Sequence, residues 1–204
     1  MSISATEWEG ILRKLGCKPM TALDWRDAFA DEVQPEKFSA GEADLVDWLP
    51  QILHECTMLT LLEERLSYSA ERLMAVWPSR FPSYDLASMY AGNPRKLANA
   101  VYGGRMGNTE PNDGYDFRGR CPIMLTGRAG YAHVGDLIGQ DLLVLPHLIL
   151  EKRYGLIAAI AWWEDRIPDS MLSDQVRLRK RVNGGTIGLA HVQQLADLTR
   201  EVFA

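Results

Sequence analysis

Cysteine is scarce in this chain. Cys17, Cys56 and Cys121 are the only three, too few and too scattered to staple a fold, and their odd number leaves at least one thiol free. Synthesis in a reducing compartment is therefore expected. Long apolar runs are missing too, and the opening Met-Ser-Ile-Ser-Ala-Thr-Glu-Trp-Glu has no basic stretch ahead of an apolar core. Neither membrane insertion nor a Sec-type export signal is expected. There is no surplus of positive charge: 22 Lys and Arg stand against 27 Asp and Glu, a formal net charge of −5, which argues against a nucleic-acid partner. The run Arg177, Arg179, Lys180, Arg181 reads as a solvated helix face. His54, His133, His147 and His191 share no metal-ligand spacing with each other or with the cysteines, so no metal site is expected. A Gly-rich phosphate loop and a Gly-x-Ser-x-Gly elbow are both absent, which sets ATPases and serine hydrolases aside.

What is present suits one globular domain spanning residues 1–204, with 1–40 as a helical N-terminal extension. Its 47% hydrophobic and 24% charged residues are an ordinary balance for a chain that buries a core. Helix signals dominate. Thr6 with Glu9 reads as a capping box, and Gly16 can end the helix that follows. A second helix is predicted from near Thr21 to Pro35. Ser39 with Glu42 reads as the capping box of a third, carrying Leu45, Trp48, Leu49, Ile52, Leu53 and Cys56 on one stripe and kinked by Pro50. Asn93 caps a helix opened by Pro94. Residues 103–120, rich in Gly, Asn, Asp and Pro, read as a long loop of the kind that carries function. Helical spacing returns over 128–138, 154–166, 173–182 and 188–203. The fold class expected is mainly α, with at most a small β-hairpin from residues 66–69 and 122–125.

The chemistry-bearing stretch is His54 to Glu64. Glu55 falls seven positions after Trp48 and three after Ile52, at the edge of the apolar stripe, where burial would keep its carboxyl protonated as a general acid requires. The alternative is a partly exposed glutamate paired with an arginine. On the first reading, Glu55→Gln is expected to leave the melting temperature unchanged or higher. Glu64 lies nine positions on and could face Glu55 across a groove, as inverting glycosidases need. Glu63 competes for that role, and two unrelated surface acids are the plainer reading. Tyr102-Gly103-Gly104-Arg105-Met106-Gly107-Asn108 offers aromatic and amide groups on flexible backbone, suited to sugar binding or merely to a turn. Asn183-Gly184-Gly185 is either part of a site or a helix C-cap. Trp162 and Trp163 read as core.

Together these segments resemble glycoside hydrolase family 19, the chitinase-like group that includes bacteriophage endolysins, from about Leu45 to the C-terminus. The ordered anchors are His54-Glu55, Leu62 to Leu73, Val101 to Asn108, Arg118-Gly119-Arg120 with Leu125-Thr126-Gly127-Arg128, and Asn183-Gly184-Gly185. The resemblance implies a lysozyme-like helical domain with its substrate cleft between lobes. It implies Glu55 as general acid, Glu64 as the carboxylate that activates water, and Thr126 as the hydroxyl that helps hold that water. Tyr68, Tyr102, Arg105, Asn108, Tyr131 and Asn183 fall where the sugar would bind, and Asn108→Ala is expected chiefly to weaken binding. The implied reaction is hydrolysis of a β-1,4 bond beside an N-acetylated aminosugar, with inversion and without a cofactor.

Peptidoglycan is the first expected substrate and chitin the second; a catalytically weak saccharide-binding protein on the same fold is a third reading. The protein is expected to act as a monomer, on the wall, after release by a phage holin or a secretion machine. Its acidic balance would not help it approach an anionic wall. The sequence also departs from the family. Cys56-Thr57-Met58 stands where the family has a small residue and two glycines, and Cys121, Met124 and Gly130 stand where it often has Gly, Gln and Asn. The two carboxylates remain, but the backbone between them is expected to run differently, and two sugar-bonding amides are lost.

Overall fold

The structure, a computed structural model, describes residues 2–204. Eleven α-helices follow one another: α1 (Ala5–Lys14), α2 (Pro19–Glu32), α3 (Glu42–Glu55), α4 (Ala70–Val76), α5 (Tyr84–Ser88), α6 (Pro94–Tyr102), α7 (Asp113–Asp116), α8 (Arg128–Ile138), α9 (Lys152–Arg166), α10 (Gln175–Asn183) and α11 (Leu189–Phe203). The mainly helical fold class is as expected. In place of a hairpin there are two isolated antiparallel bridges, Glu63 with Arg120 and Arg120 with Leu125. Among the described residues no helix is long and apolar enough to cross a membrane.

Two expected helix starts are corrected. The capping box of α1 is Ser4 with Glu7, because Ser4 has the extended backbone of an N-cap while Thr6 is already inside the helix. At α3 the N-cap is Gly41, in the left-handed region at φ 62°, and no side chain caps the helix. Ser39 instead meets Asp44, whose Oδ2 also accepts from the Ala40 N–H at 2.8 Å. Asp44 Oδ1 accepts from the Trp163 indole at 2.7 Å, which ties the start of α3 to α9. Pro50 lies inside α3 without ending it, its missing N–H leaving one carbonyl of the preceding turn without a helical donor.

Hydrophobic residues gather in two clusters. The larger is centred on α3, whose Leu45, Trp48, Leu49, Ile52 and Leu53 have no exposed surface, together with Trp8, Phe29, Leu156 and Trp163 from α1, α2 and α9. Each such aliphatic side chain contributes about 1.5–3 kcal/mol through burial. The smaller joins α4, α5 and α6 through Leu73, Phe81, Ala87, Leu97 and Val101. The molecule thus has a large and a small lobe, linked by residues 56–69 and by the loop after α6. That loop is ordered rather than slack: Asp113 holds Arg128 through both oxygens, at 2.8 and 2.9 Å, and accepts the N–H groups of Thr109 and Glu110.

Candidate active site

Glu55 is the last residue of α3, where the helix dipole disfavours negative charge. Arg179 of α10 offsets that: its Nη1 donates to Glu55 Oε1 at 2.5 Å. The glutamate side chain is 15% exposed and the arginine 1%. This is the paired arrangement, not an unpartnered acid leaning on apolar surface. Glu55→Gln would leave a buried guanidinium facing a neutral amide, so the expectation of an unchanged or raised melting temperature is withdrawn. Among the described residues Oε2 of Glu55 accepts no hydrogen bond, so one oxygen is held and the other is open.

After α3 the chain turns back through Thr57, Met58 and Leu59, all left-handed at φ 50°, 56° and 64°. The backbone therefore follows a glycine-favouring path on three residues that are not glycine. Cys56 fits as the small buried residue ahead of the turn, its Sγ donating to Ile52 O at 3.0 Å and accepting from Leu59 N at 3.3 Å. Cys121 repeats the pattern, left-handed at φ 60° and fully buried. All three thiols are buried and free.

Beyond the turn the two adjacent glutamates separate by partner. Burial pushes the Glu63 carboxyl up, but the hydrogen bonds and charges of Arg120 and Arg118 outweigh it and hold Glu63 below the usual carboxylate range. Those contacts, at 2.7 and 2.8 Å, occupy it as a structural ion pair. Glu64 has no cation on it. Its Oε1 accepts from the Tyr102 hydroxyl at 2.6 Å and its Oε2 from Gly119 N at 3.4 Å, while its own N–H donates to Gly119 O at 2.8 Å. Burial and the neighbouring Glu64 carboxylate push the Tyr102 hydroxyl up, so it stays a donor.

Gly119 passes close beneath two side-chain oxygens, those of Thr126 and Glu64. A Cβ built on it would lie 3.3 Å from Thr126 Oγ1, 3.4 Å from Glu64 Cβ and 3.5 Å from Glu64 Oε2, so a methyl there would crowd both side chains. The Thr126 hydroxyl donates to Met124 O at 2.8 Å, which leaves it only lone pairs to offer there. Two acceptors facing one small volume suit a donor of two hydrogens. Beside them, Glu64, Arg65, Ser67, Pro94, Tyr115 and Arg118 line a groove of about 430 Å³.

The remaining expected sugar contacts divide. Tyr68, packed edge-on against Trp77 at 5.4 Å, is half-buried. Arg105 is exposed on the loop, and Asn183 is exposed at the end of α10 with Gly184 as its left-handed C-cap. Two others are spent elsewhere. Tyr131 has no exposed surface; its hydroxyl donates to Arg118 O at 2.7 Å and accepts from Arg120. Asn108, 1% exposed, donates to Tyr102 O and accepts from Arg128 N at 2.8 Å, so it latches the loop instead of closing over a sugar.

Sequence reasoning missed Arg179, assigned above to a solvated face. It lies on the stripe Gln175, Leu178, Arg179, Val182, a helical period that marks the buried side of α10. It also missed the pairing of His54 with His191, whose Nδ1 atoms lie 2.9 Å apart. Among the described residues no three His, Cys, Asp or Glu side chains gather as a metal site would need.

No family model matches the chain. It is 28% identical, over 144 residues covering 70% of its length and 71% of the relative's, to a glycosyl hydrolase family 19 domain-containing protein of Haemophilus influenzae. Its fold matches that of chitinase C from Streptomyces griseus with a TM-score of 0.59 and 12% identity, covering 98% of this chain and 92% of that one. A chitinase C mutant matches with a TM-score of 0.57 and 14% identity, covering 98% of this chain and 76% of its own.

Proposed function

We propose that this chain, related to glycoside hydrolase family 19 in sequence and in fold, hydrolyses the β-1,4 bonds beside N-acetylated aminosugars in peptidoglycan, with inversion. The observation that carries the reading is the pair of acceptors, Glu64 Oε2 and Thr126 Oγ1, facing one space over Gly119. A water donating one hydrogen to each would turn a lone pair toward the sugar. Its oxygen attacks the anomeric carbon as the bond to the departing sugar oxygen breaks. Glu64 takes the water's proton, and Glu55, once it has taken up a proton on Oε2, gives that proton to the departing oxygen. Inversion requires the two carboxyls to stand about 6.5–9.5 Å apart, with the water on the face opposite the leaving group. Tyr102 holds Glu64 by the oxygen not facing that space.

Peptidoglycan is preferred on the endolysin-like stretch Tyr68-Ser69-Ala70-Glu71-Arg72-Leu73; synthesis in a reducing compartment, release to the wall and action as a monomer belong to the same proposal. Chitin is the second reading, favoured by the chitinase C fold match.

Gly119→Ala tests the central claim, because Gly119 is not among the left-handed residues and its new methyl would crowd Thr126 and Glu64 where a water would have to stand between their oxygens. We expect kcat to fall about 10²-fold, in the range general-base assistance contributes, with circular dichroism of the variant checking that it still folds. Glu64→Gln should fall similarly and Glu63→Gln much less. Products should first appear as the α anomer. A β product, or full activity in Gly119→Ala, would remove Glu64 from its role. Digestion of peptidoglycan and chitin oligomers side by side, with reducing-end analysis, decides between the substrates.

A further inference from the structure

Behind Glu55 runs a line of buried polar side chains that the reaction above does not use. Asp47, Gln51 and Glu55 follow at steps of four on one face of α3, and Gln175 and Arg179 at the same step on α10. Across the interface they alternate. Gln175 Nε2 donates to Asp47 Oδ1 at 2.6 Å, Gln51 Nε2 donates to Gln175 Oε1 at 3.3 Å, and Arg179 Nη1 donates to Gln51 Oε1 at 3.4 Å and to Glu55 Oε1 at 2.5 Å. None of the four residues from Asp47 to Arg179 is more than 7% exposed.

We infer that Asp47, Gln51 and Gln175 are positioning residues: a buried relay of fixed polarity that aims Arg179, and through it the Glu55 carboxylate. The inference rests on the reading of Glu55 as the proton donor.

The polarity follows from what each group can do. An ionised carboxylate only accepts and a guanidinium only donates. Asp47 stands at one end and Arg179 at the other, so the two amides between them line up one way only. With Gln175 turning its NH₂ to Asp47, its carbonyl faces Gln51; Gln51 must then turn its NH₂ to Gln175 and its carbonyl to Arg179. The far end is anchored from outside the line, since Asp47 Oδ2 accepts the backbone N–H of Ser173 and Oδ1 lies 3.5 Å from Arg200 Nη2. Arg179 is also held from outside the line by its Nε, which donates to Ile187 O at 2.7 Å.

Stability alone gives little reason for such a line. The other face of α3 packs with Leu45, Leu49 and Ile52, and apolar side chains of similar volume are as stabilising as a buried polar network or more so. The line gains its purpose from its last member. Holding Glu55 by Oε1 leaves Oε2 as the oxygen that carries the proton.

Gln51→Met and Gln175→Met, made in the full chain, each break the relay without adding charge; Gln175, nearer the surface, serves if Gln51→Met does not fold. Two measurements are needed: exchange of the Arg179 Nε–H with solvent by NMR, and kcat and KM on peptidoglycan fragments. We expect faster Arg179 exchange and a kcat lowered about tenfold with KM changed less than about twofold, as a small misplacement of a catalytic group produces. In a Glu55→Gln background the same substitutions should cause no further loss of the residual rate. Unchanged Arg179 exchange, an unchanged kcat in a folded variant, or a loss that persists without Glu55 would each overturn the inference. A wild-type protein inactive on both peptidoglycan and chitin would overturn the proposed reaction instead, and Arg179 exchange would then decide the relay alone.

Discussion

Asn108 shows how a polar residue in a glycine-rich loop can be structural. Its amide spans two connections, the carbonyl of Tyr102 at the end of α6 and the N–H of Arg128 at the start of α8. Asn108→Ala orphans both. We expect a loss of about 1–3 kcal/mol in urea unfolding, the cost of unmade buried hydrogen bonds, with KM unchanged. His54 carries a different signal. Burial first, then the charge of Arg179 and of His191, hold its imidazole below the ordinary value of 6.5, against the opposing pull of Glu55. The unfolded chain therefore takes up the proton before the folded one does. Stability tied to His54 is full above pH 6.5 and is lost as pH falls through the folded value. The urea midpoint should drop between about pH 7 and about pH 5, and His54→Gln should flatten that slope. None of this was legible from residue type: an asparagine among glycines and a histidine before a glutamate look alike whether they meet substrate or protein.

At the scale of elements, the left-handed turn Thr57-Met58-Leu59 is the clearest case of conformation outlasting composition. A non-glycine residue in this region costs about 1–2 kcal/mol, and a β-branched one is the rarest there. Thr57→Gly should therefore raise stability by up to about 1 kcal/mol, after the extra freedom of glycine in the unfolded chain is counted; equilibrium urea unfolding reads it directly. Helices with a clear apolar period, such as α3, α8, α10 and α11, were legible because burial of one stripe dictates them. Cap positions were not, since Ser4 and Thr6, or Ser39 and Gly41, compete locally and packing decides. The short α4 and α5 offered too few turns for a period to show. The pairing of Glu63 with Arg118 and Arg120, which leaves Glu64 as the one free of cations, depends on chain segments 55 and 57 residues apart and no local pattern encodes it.

The whole molecule sets two cores side by side, with the candidate site on the segments that join them. Its net charge of −5 repels an anionic polymer over distances that salt shortens, from about 30 Å at 0.01 M to about 8 Å at 0.15 M. Hydrolysis of anionic peptidoglycan should therefore speed up as salt rises over that range, while hydrolysis of uncharged chitin oligomers should not; rate against ionic strength with both substrates makes the comparison. The joining segment has one more consequence. Residues 56–63 are the covalent path between Glu55 and Glu64, and the backbone of three of them, Thr57, Met58 and Leu59, is held by its surroundings against its own preference. We expect warming to loosen such a stretch ahead of the helices around it. We expect the working life of a stored preparation to be set by these three residues rather than by the fold, so that a warmed sample stops turning over while its helical signal is still full.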